Sequence, residues 1–138
     1  MLVAGMACAV SAMVLGGCRT EPRASQGDPP QLVDASRPYT GPTINHEIEA
    51  ERHVFVASVP SGGWEVKLDR EELIGREGRV FLTLVRPGRD EMVTQAFVDH
   101  RVETDLPSDR TVSLYARVQQ RGRDANETGY ALVRRITQ

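Results

Sequence analysis

The side chains that could do chemistry in this chain are few and scattered. The histidines are His46, His53 and His100, and none stands at metal-ligand spacing from another His or from a Cys. No HExxH-type motif exists. Each is expected as a surface or half-buried imidazole, whose ordinary pKa of about 6.5 leaves a response to pH. No serine sits in a G-x-S-x-G elbow. Only a Ser-His-Asp triad assembled from distant residues could make a small hydrolase. Glu71-Glu72 and Asp90-Glu91 are adjacent carboxylates. Neighbours on a strand point to opposite faces, so these read as solvated charges rather than a catalytic pair. Gly62-Gly63 could cradle an anion through backbone N–H groups. No GKS/T motif and no helix follows, so a tight turn is expected instead. Asn126-Glu127-Thr128 fits a glycosylation sequon, which carries weight only in a eukaryotic secreted chain. No catalytic residue, metal ligand or cofactor is expected.

Two features remain, Cys18 and the turn Pro60–Trp64. Within that turn, Ser61, Gly62, Gly63 and Trp64 are the candidate partner-binding residues. Trp64 is the only tryptophan. If it starts a strand facing inward, it belongs to the core, and the alternation after it favours this. If it stands exposed on the turn, it is an anchor for a partner, because aromatic residues are enriched at interface hot spots.

The elements that hold these residues change character along the chain. Residues 1–17 carry no charged side chain and read MLVAGMACAVSAMVLGG. Such a run has the form of a signal-peptide h-region and is slightly short for a spanning helix. It ends Leu15-Gly16-Gly17-Cys18. This resembles the lipobox of bacterial lipoproteins, in which an aliphatic residue and two small residues precede the cysteine that receives the lipid. The resemblance implies cleavage before Cys18 and acylation there. Multiple acyl chains anchor stably, whereas one is marginal. Residue 19 is Arg rather than Asp. By resemblance to the sorting rule of enteric bacteria, this implies the periplasmic face of the outer membrane in a Gram-negative host.

Residues 18–45 form the lipidated Cys and a tether with five prolines and few large apolar residues. It cannot bury enough surface to offset its ordering entropy, so a flexible spacer is expected. Residues 46–138 form the domain. Both cysteines, Cys8 and Cys18, precede it, so it has no disulfide and no thiol chemistry. The chain's net charge of −2 argues against a nucleic-acid partner.

Inside the domain the apolar pattern has period two. Strands are expected at His53–Val59, Trp64–Asp69 with a continuation toward Leu73, Arg79–Arg86, Met92–Thr104, Thr111–Val118 and Tyr130–Ile136. Trp64, Val66 and Leu68 should face inward, with Val93, Phe97 and Val98 in the core. Arg79–Arg86 is apolar on both faces, which marks a central strand. Turn signals stand between the strands, among them Pro60-Ser61-Gly62-Gly63 and Pro87-Gly88-Arg89-Asp90. Short strands with regular turns predict an all-β fold, a small antiparallel β-sandwich of six to seven strands.

Pro60–Val66, Gly78–Leu82 and Val93-Thr94-Gln95-Ala96 together look like a known pattern. They resemble the C-terminal domain of the PrcB family, lipoproteins associated with bacterial protease complexes. Ser61 stands for that family's usual Thr and Trp64 for its usual Tyr. The resemblance covers about half the chain, from Pro60 to Leu106. It implies a β-sandwich lipoprotein that binds or stabilises a partner protein. More distantly, the Gly-Gly-aromatic turn is similar to a loop of chagasin-like protease inhibitors. An inhibitor would need the Pro60–Trp64 and Pro87–Asp90 loops at the same end of the sandwich. The leading expectation is a membrane-anchored, non-catalytic binding module of the cell envelope. The alternatives are a protease inhibitor and a small hydrolase.

Overall fold

A computed structural model describes residues 37–124 and 128–137. The expected signal peptide, Cys18, most of the expected tether, and Asn126 and Glu127 of the sequon lie outside the described residues. The seven strands are β1 (Thr43–Glu49), β2 (Arg52–Val59), β3 (Glu65–Ile74), β4 (Glu77–Arg86), β5 (Val98–Pro107), β6 (Thr111–Gln120) and β7 (Ala131–Ile136). They form two sheets, ordered β1-β2-β5 and β3-β4-β6-β7. The fold is an all-β sandwich.

Each sheet sends one face of its alternating residues inward. Phe55, Ala57 and Val59 of β2 meet Val80, Leu82 and Leu84 of β4 and Val112, Leu114 and Ala116 of β6. Ile44, Val102 and Leu106 complete the first sheet's contribution. The chain enters over the gap beside β1. There Tyr39 packs on the core, donates its hydroxyl to the carbonyl of Pro42 at 2.8 Å, and has its phenol pKa raised by burial.

Three expectations need correction. The pairings are not all antiparallel: β4 and β6 run parallel, because the chain leaves β4, forms β5 in the other sheet, and returns. The first strand starts at Thr43, inside the stretch expected as tether. Only Ile44 and Ile48 are large and apolar there, and of the two only Ile44 is buried. Leu68 is 38% exposed, because β3 is an edge strand whose register shifts between Leu68 and Arg70. That shift lets Glu71 turn inward, where its carboxylate accepts the N–H of Asp105 on β5 at 3.1 Å. A carboxylate from one sheet edge thus satisfies a donor on the other.

β1 and β2 join through the two-residue turn Ala50-Glu51. Both residues have positive φ, 47° and 61°. Two-residue hairpins need this conformation to match the strand twist, and Asn-Gly usually supplies it. The carbonyl of Glu51 accepts the N–H of Ser108 at 2.8 Å, which ties the turn to the β5–β6 connection.

Candidate functional site

The connections β2–β3, β4–β5 and β6–β7 all lie at one end of the sandwich, together with the entering segment 37–42. This follows from the strand directions and from direct contacts. The N–H of Gly62 donates to the carbonyl of Thr94 at 3.0 Å. A Cβ on Gly63 would lie 2.9 Å from Cβ of Pro87 and would overlap Val93. Arg121 sends Nη1 to both carboxylate oxygens of Glu91, at 2.6 and 2.8 Å, and Nη2 to the carbonyl of Gly63 at 3.3 Å. These bonds from Arg121, with the N–H of Gly88, hold the Glu91 carboxyl below the usual carboxylate range. The Pro60–Trp64 and Pro87–Asp90 loops therefore share an end.

Between them is an open notch of about 450 Å³. Gly62, Gly63, Glu91, Val93, Thr94 and Arg121 line it, with Met92 at its lip. Its chemistry is polar and backbone-rich. It offers an Arg–Glu pair already engaged with itself, a threonine hydroxyl and unbranched glycine backbone.

The sequence-predicted contact residues divide. Gly62 is exposed and Gly63 half-buried, and both line the notch. Ser61 is buried. Trp64 is only 8% exposed and belongs to the core cluster, so the exposed-anchor alternative is overturned. Its ring is fixed by the start of β3, and the guanidinium of Arg86 lies 5.5 Å from the ring centroid. The exposed apolar side chains are others. Met92 is fully exposed and Phe97 is 80% exposed. This corrects the expected strand Met92–Thr104, since β5 begins only at Val98. Residues 91–97 cross from one sheet to the other, with no neighbouring strand to pair with. Phe97 is accordingly not core, and Val93 is half-buried against Gly63.

Two further constellations lie elsewhere. On the outer face of the four-stranded sheet, Phe81 stacks on Tyr115 with ring centroids 5.1 Å apart and meets Tyr130 edge-on at 5.2 Å. Beside them the Asp69 carboxylate accepts the hydroxyls of Thr83 and of Tyr130, the latter at 2.6 Å. Buried Arg117 donates Nε to Thr83 at 2.7 Å and covers the Tyr130 ring. Burial first, and Asp69 second, push the Tyr130 phenol up to about 12. This layer is a network of mutual partners and reads as packing.

The second is a histidine pair that sequence spacing did not suggest. His46 and His53 lie 2.8 Å apart across the β1–β2 hairpin. No sequence signal marked it: the tight turn that brings residues seven apart onto neighbouring strands is Ala50-Glu51, not the Asn-Gly such turns prefer. His100 has a buried Nε2 without a hydrogen-bond partner among the described residues. Among the described residues, no group of three metal-ligating side chains is gathered. No hydroxyl, imidazole and carboxylate converge there either. The hydroxyl–carboxylate contacts are those of Thr83 and Tyr130 with Asp69, of Ser58 with Asp99 and of Ser113 with Glu77, and none of them has a hydrogen bond to an imidazole. No family model, curated protein or solved structure matches the chain.

Proposed function

We propose that this chain is a lipid-anchored protein of the bacterial cell envelope, tethered through Cys18. Its non-catalytic β-sandwich binds or stabilises a partner protein, such as a protease complex. The anchor half rests on Leu15-Gly16-Gly17-Cys18 and the apolar run before it. The periplasmic face of an outer membrane is the location favoured by Arg19. The likeness of Pro60–Leu106 to the PrcB family supports the partner class.

The observation that carries the binding half is the notch at the loop end. Three connections are hydrogen-bonded together around it, and Gly62 leaves its rim open. A second reading, a protease inhibitor, draws support from the Pro60–Trp64 and Pro87–Asp90 loops standing side by side. In that reading Met92 would be the inserted side chain, since Trp64 is buried.

Two variants test the proposal. Cys18→Ser should abolish incorporation of labelled fatty acid, and persisting incorporation refutes the anchor. Gly62→Arg fills the notch, while the space beside Gly62 admits a Cβ at 3.6 Å from Thr94. The variant should melt like the parent and lose the envelope protein captured by the parent domain. Unchanged capture would remove the notch from the binding surface.

A further inference from the structure

Sulfur is unevenly placed in this chain. Met1, Met6, Cys8, Met13 and Cys18 stand at or before residue 18, and beyond it the only sulfur atom is that of Met92. Met92 is also the most exposed large apolar side chain among the described residues, at 102%. A thioether in a core is shielded from oxidants, and its oxidation disrupts packing. Met92 is neither shielded nor packed.

Its neighbours, by contrast, are held on both sides. The Glu91 carboxylate before it is bound by Arg121 and by the N–H of Gly88. Val93 after it lies where a Cβ on Gly63 would fall, and the carbonyl of Thr94 accepts the N–H of Gly62. These contacts, and not the Met92 side chain, fix the connection. The side chain can therefore change its chemistry without cost to the fold. Yet it stands at the lip of the notch that Gly62, Glu91 and Arg121 line.

We propose that Met92 is a site of reversible oxidation, and that its sulfoxide weakens partner binding at the notch. The oxidant is hydrogen peroxide. The sulfur lone pair attacks one peroxide oxygen, and the S–O bond forms as the O–O bond breaks. The proton on the transferred oxygen passes to the departing hydroxide, which leaves as water. Sulfur gives up two electrons and the peroxide takes them. Reversal needs a sulfoxide reductase and a dithiol, which becomes a disulfide as the oxygen leaves as water. The sulfoxide oxygen is a strong acceptor, costly to bury without a donor. A partner packing over the lip must strip water from it. The switch rests on the notch as the binding surface.

The test uses the full chain in detergent micelles, treated with hydrogen peroxide and followed by peptide mass mapping. Met92 should gain one oxygen within about twofold of the rate of N-acetylmethionine amide, and sulfoxide reductases should remove it from the folded protein. The melting midpoint should not move. The envelope protein captured by the parent is eluted and added back as the probe. It should bind the oxidised chain about tenfold more weakly, and binding should return on reduction. Met92→Leu keeps an apolar side chain at the lip and should bind equally before and after peroxide. Oxidation of Met92 slower than the free amide by more than about tenfold overturns the proposal. So does unchanged binding by the sulfoxide form, or a peroxide-sensitive Met92→Leu, which would place the sensitivity elsewhere. Gly62→Arg separates this switch from the notch itself. If Gly62→Arg abolishes binding and the sulfoxide does not, the notch stands and the switch fails. If the sulfoxide weakens binding and Gly62→Arg does not, the switch stands and the partner contacts Met92 from outside the notch.

Discussion

His46 Nε2 lies 2.8 Å from His53 Nδ1, and the other ring nitrogen of His53 lies 3.1 Å from the carbonyl oxygen of Arg110. The carbonyl can only accept, so His53 carries its proton on Nε2. Its Nδ1 then accepts, and His46 donates from Nε2. The neutral pair is a complete chain of donors and acceptors, with His53 entirely buried.

That chain makes stability depend on pH. Burial, His53 and Arg134 of β7 lower the pKa of His46 from its ordinary 6.5, and Glu47 opposes them weakly. The unfolded chain therefore binds the proton more readily than the fold does. The stability owed to neutral His46 is complete above pH 6.5 and is lost as pH falls below it. The denaturation midpoint should drop between about pH 7 and about pH 5. His46→Gln keeps a donor facing His53 and should flatten that drop. An equal drop in the variant would place the titration elsewhere.

Trp64 is a core residue, and truncation should show it. Trp64→Ala should cost about 3–5 kcal/mol in urea denaturation. Trp64→Phe should cost less, since the ring site stays filled. A Trp64→Ala protein as stable as the parent would contradict the packing described above.

The pattern of burial explains what the sequence could and could not reveal. β3 and β6 were legible because their polar–apolar alternation is strong, and β2 because it is rich in β-branched residues. β4 declared itself central by being apolar on both faces, and its outer Phe81 and Thr83 are indeed covered by Arg70, Tyr115 and Arg117. β1 was hidden, since a strand with one buried apolar side chain looks like linker. Residues 92–97 misled in the opposite direction. Apolar residues mark a strand only if a neighbour exists to pair with, and topology decides that. The parallel β4–β6 pairing and the His46–His53 contact are likewise products of topology. Of the site, Gly62 and Gly63 were legible from turn chemistry alone. Glu91 and Arg121 were not, because their pairing spans thirty residues.

The two glycines of the β2–β3 turn should behave differently. Gly63→Ala forces a methyl against Pro87 and Val93 and should cost about 1–3 kcal/mol. Gly62→Ala meets only Thr94, at 3.6 Å, and should stay within about 0.5 kcal/mol of the parent. Thermal melts of the two variants decide this. Equal effects would mean the turn is not pressed against the β4–β5 connection.

The β1–β2 turn holds strain that can be removed. Ala50 and Glu51 both occupy the left-handed region, which costs an L-residue about 1–2 kcal/mol. Ala50→Asn with Glu51→Gly installs the residue pair that this turn prefers. The double variant should raise stability by about 1 kcal/mol or more. The Ser108 bond survives, because it uses only the backbone carbonyl of residue 51. A loss of stability would show that the Glu51 side chain has a role of its own.

The outer-face layer predicts an alkaline limit. With its phenol pushed up to about 12, Tyr130 favours the neutral form in the fold more than in the unfolded chain. Its contribution is complete below the ordinary value of 10 and is lost as pH rises from 10 through about 12. Tyr130→Phe should cost about 0.5–1.5 kcal/mol at neutral pH, the net worth of one hydrogen bond. It should also lose less than the parent on going to about pH 11. Thr83→Val should cost more, about 1–3 kcal/mol, because it strips a donor from Asp69 and leaves the Nε of buried Arg117 without its acceptor. If Tyr130→Phe and Thr83→Val cost the same, Thr83 is not the hinge between the carboxylate and the guanidinium, and the layer is held by ring stacking alone.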